Sequence, residues 1–202
     1  MFLYFKKNMD TENLLSALER VHPLSVGLRA YLSKIVTARY FSKDQQLQLT
    51  TQELDYLPFL LQGSTRLCYL DSPDKTEATL AYFFTDDLLP DLTYLPSDVK
   101  TKFYFHFMED TIIQSISQRH ILNILKLFSD ARSLILSLSS HYLAFLFIQL
   151  YARNHLKSKQ RYLFILSQQP EIDEIVKIKS ISNFLGIDVK TLSRIRSSPF
   201  KK

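Results

Sequence analysis

The segment 180–196 constrains the fold of this chain more than any other part of the sequence. Ser182 is small enough to lie where two helices cross closely, and Gly186 can take the positive φ of a tight turn between helices. Ile187 can fill the angle between the helices, and Asp188 is a favourable N-cap for a second helix. Apolar residues at helical spacing give both helices an inward face: Ile181, Phe184, Leu185, Leu192 and Ile195. These residues in this order predict a helix-turn-helix.

The outward face of the second predicted helix is basic. A helix that presents Lys and Arg from a rigid two-helix corner is suited to the major groove of DNA. Arg194 can donate two hydrogen bonds to guanine O6 and N7, and Lys190 can bond to guanine or to phosphate. Hydroxyl side chains and helix N-terminal amides suit phosphate contacts. The predicted DNA-contacting residues are Lys179, Ser180, Val189, Lys190, Thr191, Ser193, Arg194 and Arg196.

Charge is distributed in a way that favours this interpretation. Residues 153–202 carry eleven Lys and Arg against four Asp and Glu, whereas residues 1–152 carry fourteen against sixteen. A basic end of this kind is typical of a chain that binds a polyanion, of which nucleic acid is the commonest. The alternative is an ordinary helical hairpin with a solvated basic face. The joint occurrence of the small residue, the turn glycine and the N-cap favours DNA binding.

Residues 35–116 have a different pattern, with short β-rich runs separated by turn residues. Six or more short strands at this spacing indicate an antiparallel sandwich or barrel. A helix, a turn and a second helix are expected before them, within residues 11–34. The predicted strands are Gln46–Thr50, Tyr56–Gln62, Ser64–Leu70, Ala78–Phe84, Phe103–Met108 and Thr111–Ile116.

A long helix is predicted over residues 131–152, where only Arg132 and His141 can carry charge. A membrane span needs about 20 apolar residues, but the serines, His141 and Gln149 make this segment too polar, so no membrane partner is expected. Heptad spacing instead predicts a seam for a parallel partner helix, with a polar residue at 141 that can pair across the axis. A satisfied core histidine and a monomeric core helix are the alternatives. The seam residues are Leu134, Leu138, His141, Phe145, Ile148 and Ala152.

Composition excludes several other functions. The single Cys68 rules out an internal disulfide and any multi-cysteine metal site, which fits a reducing cytoplasm. The five histidines lack metal-ligand spacing, and three glycines are too few for Gly-rich phosphate loops. No paired carboxylates or nucleophile–base arrangement are evident. We therefore expect no metal, no cofactor and no enzymatic activity.

The segment Ile181–Arg194 resembles the IAxxLGxxxxTLSR pattern of Crp/Fnr-type transcription regulators, and the overall sequence is similar to their Bacteroidetes-type branch. Residues 56–63, 66–71 and 79–84 are similar to the β-roll of that family, so the resemblance covers nearly the whole chain.

The resemblance implies an α+β fold in three parts. Residues 1–127 are expected to form small helices and an antiparallel β-roll, a cyclic-nucleotide-binding-like jelly roll that serves as the effector domain. Residues 128–155 are expected to form a long dimerisation helix, and residues 156–202 a C-terminal winged helix-turn-helix. The alternating segment Val176–Lys179 precedes the first helix of that motif. In the family pattern Val189, Lys190 and Arg194 fall on base-contacting positions.

The expected effector pocket departs from the family pattern. Members that bind cyclic AMP carry a Gly-Glu pair where this chain has Pro90 and Asp91, and an Arg-Ser pair near Lys102 and Phe103. Proline has no amide hydrogen to donate, and lysine lacks the planar, bidentate grip of arginine. The effector is therefore expected to differ from cyclic AMP. Two alternatives stay open: the pocket binds another small molecule, or it is a scaffold only.

Together these patterns predict a homodimeric, sequence-specific regulator that binds double-stranded DNA in the cytoplasm. The alternative function is a small-molecule sensor or scaffold whose helix-turn-helix mediates protein contacts.

Overall fold

A computed structural model describes residues 4–5, 11–49, 56–71, 76–90, 92 and 95–197. The strands are β1 (Tyr4–Phe5), β2 (Thr37–Phe41), β3 (Gln46–Gln48), β4 (Tyr56–Gln62), β5 (Thr65–Asp71), β6 (Thr76–Phe83), β7 (Phe103–Phe107) and β8 (Thr111–Ile116). The helices are α1 (Glu12–Val21), α2 (Val26–Ile35), α3 (Ser97–Lys100), α4 (Gln118–Leu127), α5 (Asp130–His155), α6 (Ser158–Gln168), α7 (Ile172–Ile175), α8 (Ile178–Leu185) and α9 (Val189–Ser197).

The strands form two antiparallel four-stranded sheets, in the orders β1-β2-β8-β4 and β3-β7-β5-β6. Side chains alternate between the two faces of each strand, so one face of each sheet can meet the other sheet. The resulting antiparallel α+β architecture is the one expected from sequence. Strands β4 and β8 have the predicted bounds, and β3, β5, β6 and β7 differ by one or two residues within the described part of the chain. Strands β1 and β2 were not predicted.

A core of aromatic and aliphatic side chains fills the space between the two sheets. Phe41 and Phe107 stack with their ring centroids 4.2 Å apart, and Phe105 beside them is fully buried. We call this set the β-roll core: Phe41, Leu47, Leu60, Leu67, Ala81, Phe83, Leu89, Phe105, Phe107 and Ile113. The sheets are therefore held together by packed, buried side chains.

Helices α1, α2, α4 and the first half of α5 pack around a second core. Their buried residues include Leu14, Leu18 and Leu28, and they meet Phe59 of β4 and Ile116 of β8. The first half of α5 contributes Ala131, Leu134 and Leu138 to this core. The first half of the long helix is therefore anchored to its own chain.

The last four helices form a third core, which extends into the β-roll. We call it the docking core; it contains Tyr82, Phe84, Tyr162, Ile165, Ile172, Val176, Ile181, Leu185, Ile187 and Leu192. Two of these residues, Tyr82 and Phe84, come from β6 and the loop after it. The boundary predicted at 155/156 lies between α5 and α6. Apolar packing crosses this boundary, because residues before and after it share the docking core.

Two expectations for residues 156–202 concern the alternating segment Val176–Lys179 and the wing. The alternating segment Val176–Lys179 is not extended throughout, because α7 ends at Ile175 and α8 already begins at Ile178. Between residues 156 and 197 the structure has helices and no strand. The predicted wing is therefore not found within residues 156–197, and residues 198–202 lie outside the described residues.

Candidate nucleic-acid interface

Helices α8 and α9 form the two-helix corner that the sequence predicts. Gly186 ends α8 in the left-handed conformation, with φ of +62°. The backbone N–H of Ile187 donates to Ser182 O at 2.9 Å, which satisfies a carbonyl in the last turn of α8. Ile187 and Leu192 are buried in the docking core. The turn therefore holds α9 rigidly against α8.

Asp188 caps α9 as expected. Its Oδ1 accepts from the backbone N–H groups of Lys190 at 3.0 Å and Thr191 at 3.1 Å. These donors belong to the first turn of the helix and have no partner within it, so the carboxylate stabilises that turn.

The outward side of α9 carries four exposed residues: Val189, Lys190, Ser193 and Arg194. Lys190 and Arg194 are four positions apart, so they lie on the same side of the helix. Among the described residues neither forms an ion pair, which leaves both charges available to a polyanion. Thr191 is half-buried beside them, and its backbone N–H is engaged by Asp188.

Arg196 differs from the other predicted DNA-contacting residues. Its Nη2 lies 3.1 Å from Asp173 Oδ2 on α7, and its side chain is half-buried. Burial raises the pKa of Tyr162 to about 12, and a hydrogen bond to the same Asp173 is the second largest cause. Arg196 therefore fastens α9 to α7 and does not face outward with Arg194. A tertiary contact of this kind leaves no signal in local sequence.

Lys179 and Ser180 lie in the first turn of α8. Lys179 is exposed, and its carbonyl accepts a hydrogen bond from Ser182 Oγ at 2.8 Å. Both residues are on α8, the helix that precedes α9. The first helix of a helix-turn-helix crosses the DNA backbone, so its residues are suited to contact phosphates.

Arg161 of α6 holds the end of α8 in place. Its Nη1 donates to Leu185 O and its Nη2 donates to Leu156 O at 3.1 Å. One guanidinium thus joins the end of α8 to the junction between α5 and α6. Arg161 is not among the residues predicted from sequence, where its only signal is its place in the basic end of the chain.

The helix-turn-helix is docked on the β-roll of its own chain. The Tyr82 and Phe184 rings meet edge to face with centroids 5.1 Å apart, and Gln169 Nε2 donates to Tyr82 O at 2.8 Å. Aromatic pairs in this geometry contribute about 0.5–1.5 kcal/mol beyond their burial. The motif is therefore fixed to the neighbouring domain as well as internally.

The long helix α5 presents a different face from the predicted seam. Leu134, Leu138 and Ala152 are buried within their own chain, so for these three residues the seam prediction is wrong. His141 and Ile148 are exposed and Phe145 is half-buried, and His141 Nδ1 contacts its own Ser137 O at 3.0 Å. Apolar residues are distributed around the helix, so heptad spacing alone cannot show which face the same chain covers.

A second heptad series on α5 is exposed throughout. It runs on the side opposite Leu134 and Leu138, and its apolar members are 54–69% exposed. We call it the outer seam: Leu136, Ser140, Leu143, Phe147, Leu150 and Asn154. Its four apolar members form an exposed row interrupted by Ser140, and exposed apolar surface of this kind is typical of association sites.

One helix in the described part of the chain is long and apolar enough to cross a membrane, and it is α5. Only 11% of its most apolar window is buried inside the chain. Length and composition of this kind also suit a helix whose apolar face pairs with another protein helix.

The predicted effector residues lie around the start of β7 and the end of the segment after β6. Lys102 Nζ is 5.9 Å from the centre of the Tyr69 ring, and Phe103 packs edge to face on the same ring. Phe103 also packs against the β-roll core. Pro90 is half-buried, and Asp91 lies outside the described residues. The inside of the roll is occupied by the β-roll core itself.

A polar network covers the outer face of the β3-β7-β5-β6 sheet. Arg66 Nη1 lies 2.6 Å from Glu77 Oε1, and its Nε donates to His106 Nδ1 at 3.0 Å. Tyr104 donates to Glu77. Burial lowers the pKa of His106, and Arg66 lowers it further. Burial raises the pKa of the nearby Cys68 thiol to about 11, which makes it unreactive at neutral pH. Among the described residues no group of three or more His, Cys, Asp and Glu is placed to hold a metal ion.

Comparison with known proteins identifies the fold. No family model matches the sequence, and no curated protein matches it. FixK2 from Bradyrhizobium japonicum is similar in structure, with a TM-score of 0.62, 16% identity, and coverage of 81% of this chain and 83% of that chain. A mutant of CooA from Carboxydothermus hydrogenoformans has a TM-score of 0.60, 18% identity, and coverage of 94% and 84%.

A third similar structure carries the family name that the sequence suggested. It is a protein from Eubacterium rectale described as a transcriptional regulator of the Crp/Fnr family, with a TM-score of 0.60, 14% identity, and coverage of 85% and 82%. At these identities the likeness establishes the fold, which is that of Crp/Fnr-type regulator structures. The similarity to the Bacteroidetes-type branch stays a prediction.

Proposed function

We propose that this protein is a homodimeric, sequence-specific DNA-binding transcription regulator of the Crp/Fnr type. The observation that carries the proposal is the capped, docked helix α9, whose exposed side holds the uncompensated charges of Lys190 and Arg194. In this proposal Arg194 and Lys190 contact base edges, with Val189 beside them. Lys179, Ser180, Thr191 and Ser193 contact phosphates, and Arg196 positions α9 through Asp173.

The dimer in this proposal forms along the outer seam. Its exposed leucines and Phe147 follow heptad spacing, and burying them against a second copy removes apolar surface from water. A parallel pair of α5 helices then places two copies of α9 on one side of the dimer, as a two-fold-symmetric DNA site requires. Because this pairing accounts for the apolar surface of α5, we propose a cytoplasmic protein without a membrane partner.

The effector in this proposal is not cyclic AMP. Pro90 cannot donate a backbone hydrogen bond, and the β-roll core occupies the interior of the roll. The alternative function is a sensor or scaffold whose helix-turn-helix contacts a protein. In that case a partner protein with an acidic surface would bind the basic side of α9.

Selection from a pool of random-sequence DNA by the full-length protein tests the proposal. The expected result is a two-fold-symmetric site whose half-sites lie about one helical turn apart. Arg194→Ala and Lys190→Ala should each weaken binding to that site about tenfold. Lys126→Ala, which removes an exposed charge on α4, is the matched control and should leave affinity within about twofold. Failure to enrich any sequence, or equal losses in the control, would falsify the proposal.

A further inference from the structure

An open groove lies beside the outer seam of α5, between that helix, β6, α6 and α8. Its wall residues Leu80 and Leu146 are 42% and 62% exposed, and Phe164 is half-buried. Leu150 lines the groove and is also a member of the outer seam, so the two surfaces are continuous. The groove therefore presents apolar side chains directly next to the surface that the proposed dimer buries.

The outer seam alone is small for a stable interface. An interface of standard size takes about 20–30 residues from each partner, whereas the outer seam has six residues. Further exposed apolar side chains of α5 lie on the two flanks of the seam, Leu146 on one flank and Tyr151, which is 58% exposed, on the other. Contact between two copies should therefore extend beyond the seam onto these flanks.

Heptad geometry determines which residue of a second copy meets the groove. The d positions of the outer seam include Leu143 and Leu150. Leu146 is then at a g position, and Tyr151 is at the e position of the following heptad. In a parallel pair of helices, a g position of one helix faces the next e position of the other. Leu146 at the groove therefore faces the partner's Tyr151.

A tyrosine side chain matches the chemistry of this groove. Its ring can pack against Leu80 and Phe164 while its hydroxyl stays in water at the open side. The exposed Arg153 also lines the groove, and a guanidinium binds favourably over an aromatic face. The Tyr151 ring stacks on His155 of its own helix, with centroids 5.3 Å apart. This stacking restricts the side chain before association, which lowers the entropy cost of binding.

We propose that the groove of each copy binds the partner's Tyr151 in the dimer. The proposal rests on the parallel dimer of the proposed function. Two walls of the groove, α6 and α8, belong to the helix-turn-helix domain, so the inserted ring contacts that domain as well as the β-roll. Dimerisation then fixes the position of each α9 relative to the two-fold axis, and with it the spacing of the two DNA half-sites.

Photo-crosslinking of the full-length protein tests this contact directly. Tyr151 is replaced with p-benzoylphenylalanine, an aromatic residue that inserts into nearby C–H bonds on irradiation, and the joined peptides are identified by mass spectrometry. We expect a covalent dimer in which position 151 of one chain is joined to a peptide containing Leu80, Leu146 or Phe164 of the other. The same replacement at the exposed His141, a b position that faces away from the partner helix, should join no groove peptide.

The dissociation constant of the dimer gives an independent measurement. Tyr151→Ala should raise it about tenfold, since buried aromatic side chains dominate interface energies, and Tyr151→Phe should raise it by less than about threefold. In a Leu80→Ala background the effect of Tyr151→Ala should fall to about threefold, because residues in contact are not additive. His141→Ala is the control and should leave the constant unchanged. Sedimentation velocity measures all four variants.

The proposal is overturned if the parent protein dimerises but the crosslinked dimer lacks groove peptides, or if position 151 is joined only within its own chain. It is equally overturned if Tyr151→Ala dimerises as tightly as the parent. These results leave the outer seam and DNA binding unaffected. A parent protein that is monomeric at about 100 µM would instead contradict the dimer of the proposed function before any substitution is made.

Discussion

The helix-turn-helix exposes charged side chains, whereas the β-roll buries aromatic side chains in its interior. In the helix-turn-helix the inward residues pack into the docking core, while Lys190 and Arg194 remain exposed and unpaired among the described residues. In the β-roll the interior is filled by aromatic side chains such as Phe105 and Phe107. The difference teaches that the helix-turn-helix leaves charged groups open to a partner, whereas the interior of the β-roll is a packed core.

The largest expected effect tests whether the β-roll interior is a packed core. Phe105→Ala should lower the free energy of unfolding by about 4 kcal/mol, because it leaves a cavity among residues that are fully buried. Denaturant titration monitored by circular dichroism measures it. Leu122→Ala, at an exposed leucine of α4, should cost less than about 0.5 kcal/mol. A nearly neutral Phe105→Ala would mean that the interior is open enough to hold a ligand.

The next largest effect is expected on dimerisation through the outer seam. The double variant Leu143→Glu, Phe147→Glu places charges on the outer seam and should raise the dimer dissociation constant at least about 100-fold. Light scattering after size exclusion measures it, with Leu122→Glu as a matched control. Ile148→Glu changes the side of α5 that the sequence favoured. If Ile148→Glu separates the dimer and the double variant does not, the outer seam is wrong.

A smaller effect, on the free energy of unfolding, is expected at Asp87, which lies where the β-roll meets the helix-turn-helix domain. Burial raises the pKa of Asp87 to about 6, and the charges of Glu171 and Asp86 add to the effect, although the Phe84 N–H opposes it. Because this pKa is raised above the ordinary 3.8, the contribution of Asp87 to stability is full below pH 3.8 and is lost as the pH rises through 6. Asp87→Asn should therefore raise the free energy of unfolding at pH 7.5 by about 2 kcal/mol.

Unfolding measured between pH 4 and pH 8 checks this expectation. The gain from Asp87→Asn should shrink as the pH falls from 6 towards 4. The exposed Asp98→Asn serves as control and should show no such trend. A gain that does not change with pH would contradict the assigned cause.

The smallest effect is on the stability of the helix-turn-helix itself. Asp188→Ala removes the acceptor for two N–H groups in the first turn of α9 and should cost about 1 kcal/mol. Asp188→Ser keeps an acceptor and should be within about 0.5 kcal/mol of the parent. Thermal unfolding of both variants measures the difference. Equal losses in both would show that the cap geometry is not what stabilises α9.

The sequence predicted those features that depend on neighbours along the chain. Gly186, Ile187 and Asp188 act within one turn, so their roles follow from local chemistry. Strands β4 and β8 were predicted from short runs of β-forming residues bounded by turn residues, which are also local signals. Strand β2 was missed because its run of β-forming residues directly follows α2 and has no turn residues before it.

Features that depend on distant residues could not be predicted in this way. The ion pair of Arg196 with Asp173 joins two helices, and Tyr82 meets Phe184 across about a hundred residues of sequence. The predicted seam included Leu134 and Leu138, which are buried within their own chain, because they have the same spacing as the exposed Leu143 and Phe147. The two sides are distinguished by tertiary packing, in which α1, α2 and α4 share a core with Leu134 and Leu138.

The proposed function depends most on contact between Arg194 and guanine in the major groove of a symmetric site. The most direct measurement is a double-mutant cycle that combines Arg194→Ala with replacement of guanine by 7-deazaguanine, which lacks the N7 acceptor, at each guanine of the selected site. We predict that one position in each half-site costs the parent protein about tenfold in affinity and costs Arg194→Ala nothing. If every such replacement costs the parent and the variant equally, Arg194 does not contact guanine and the account is contradicted.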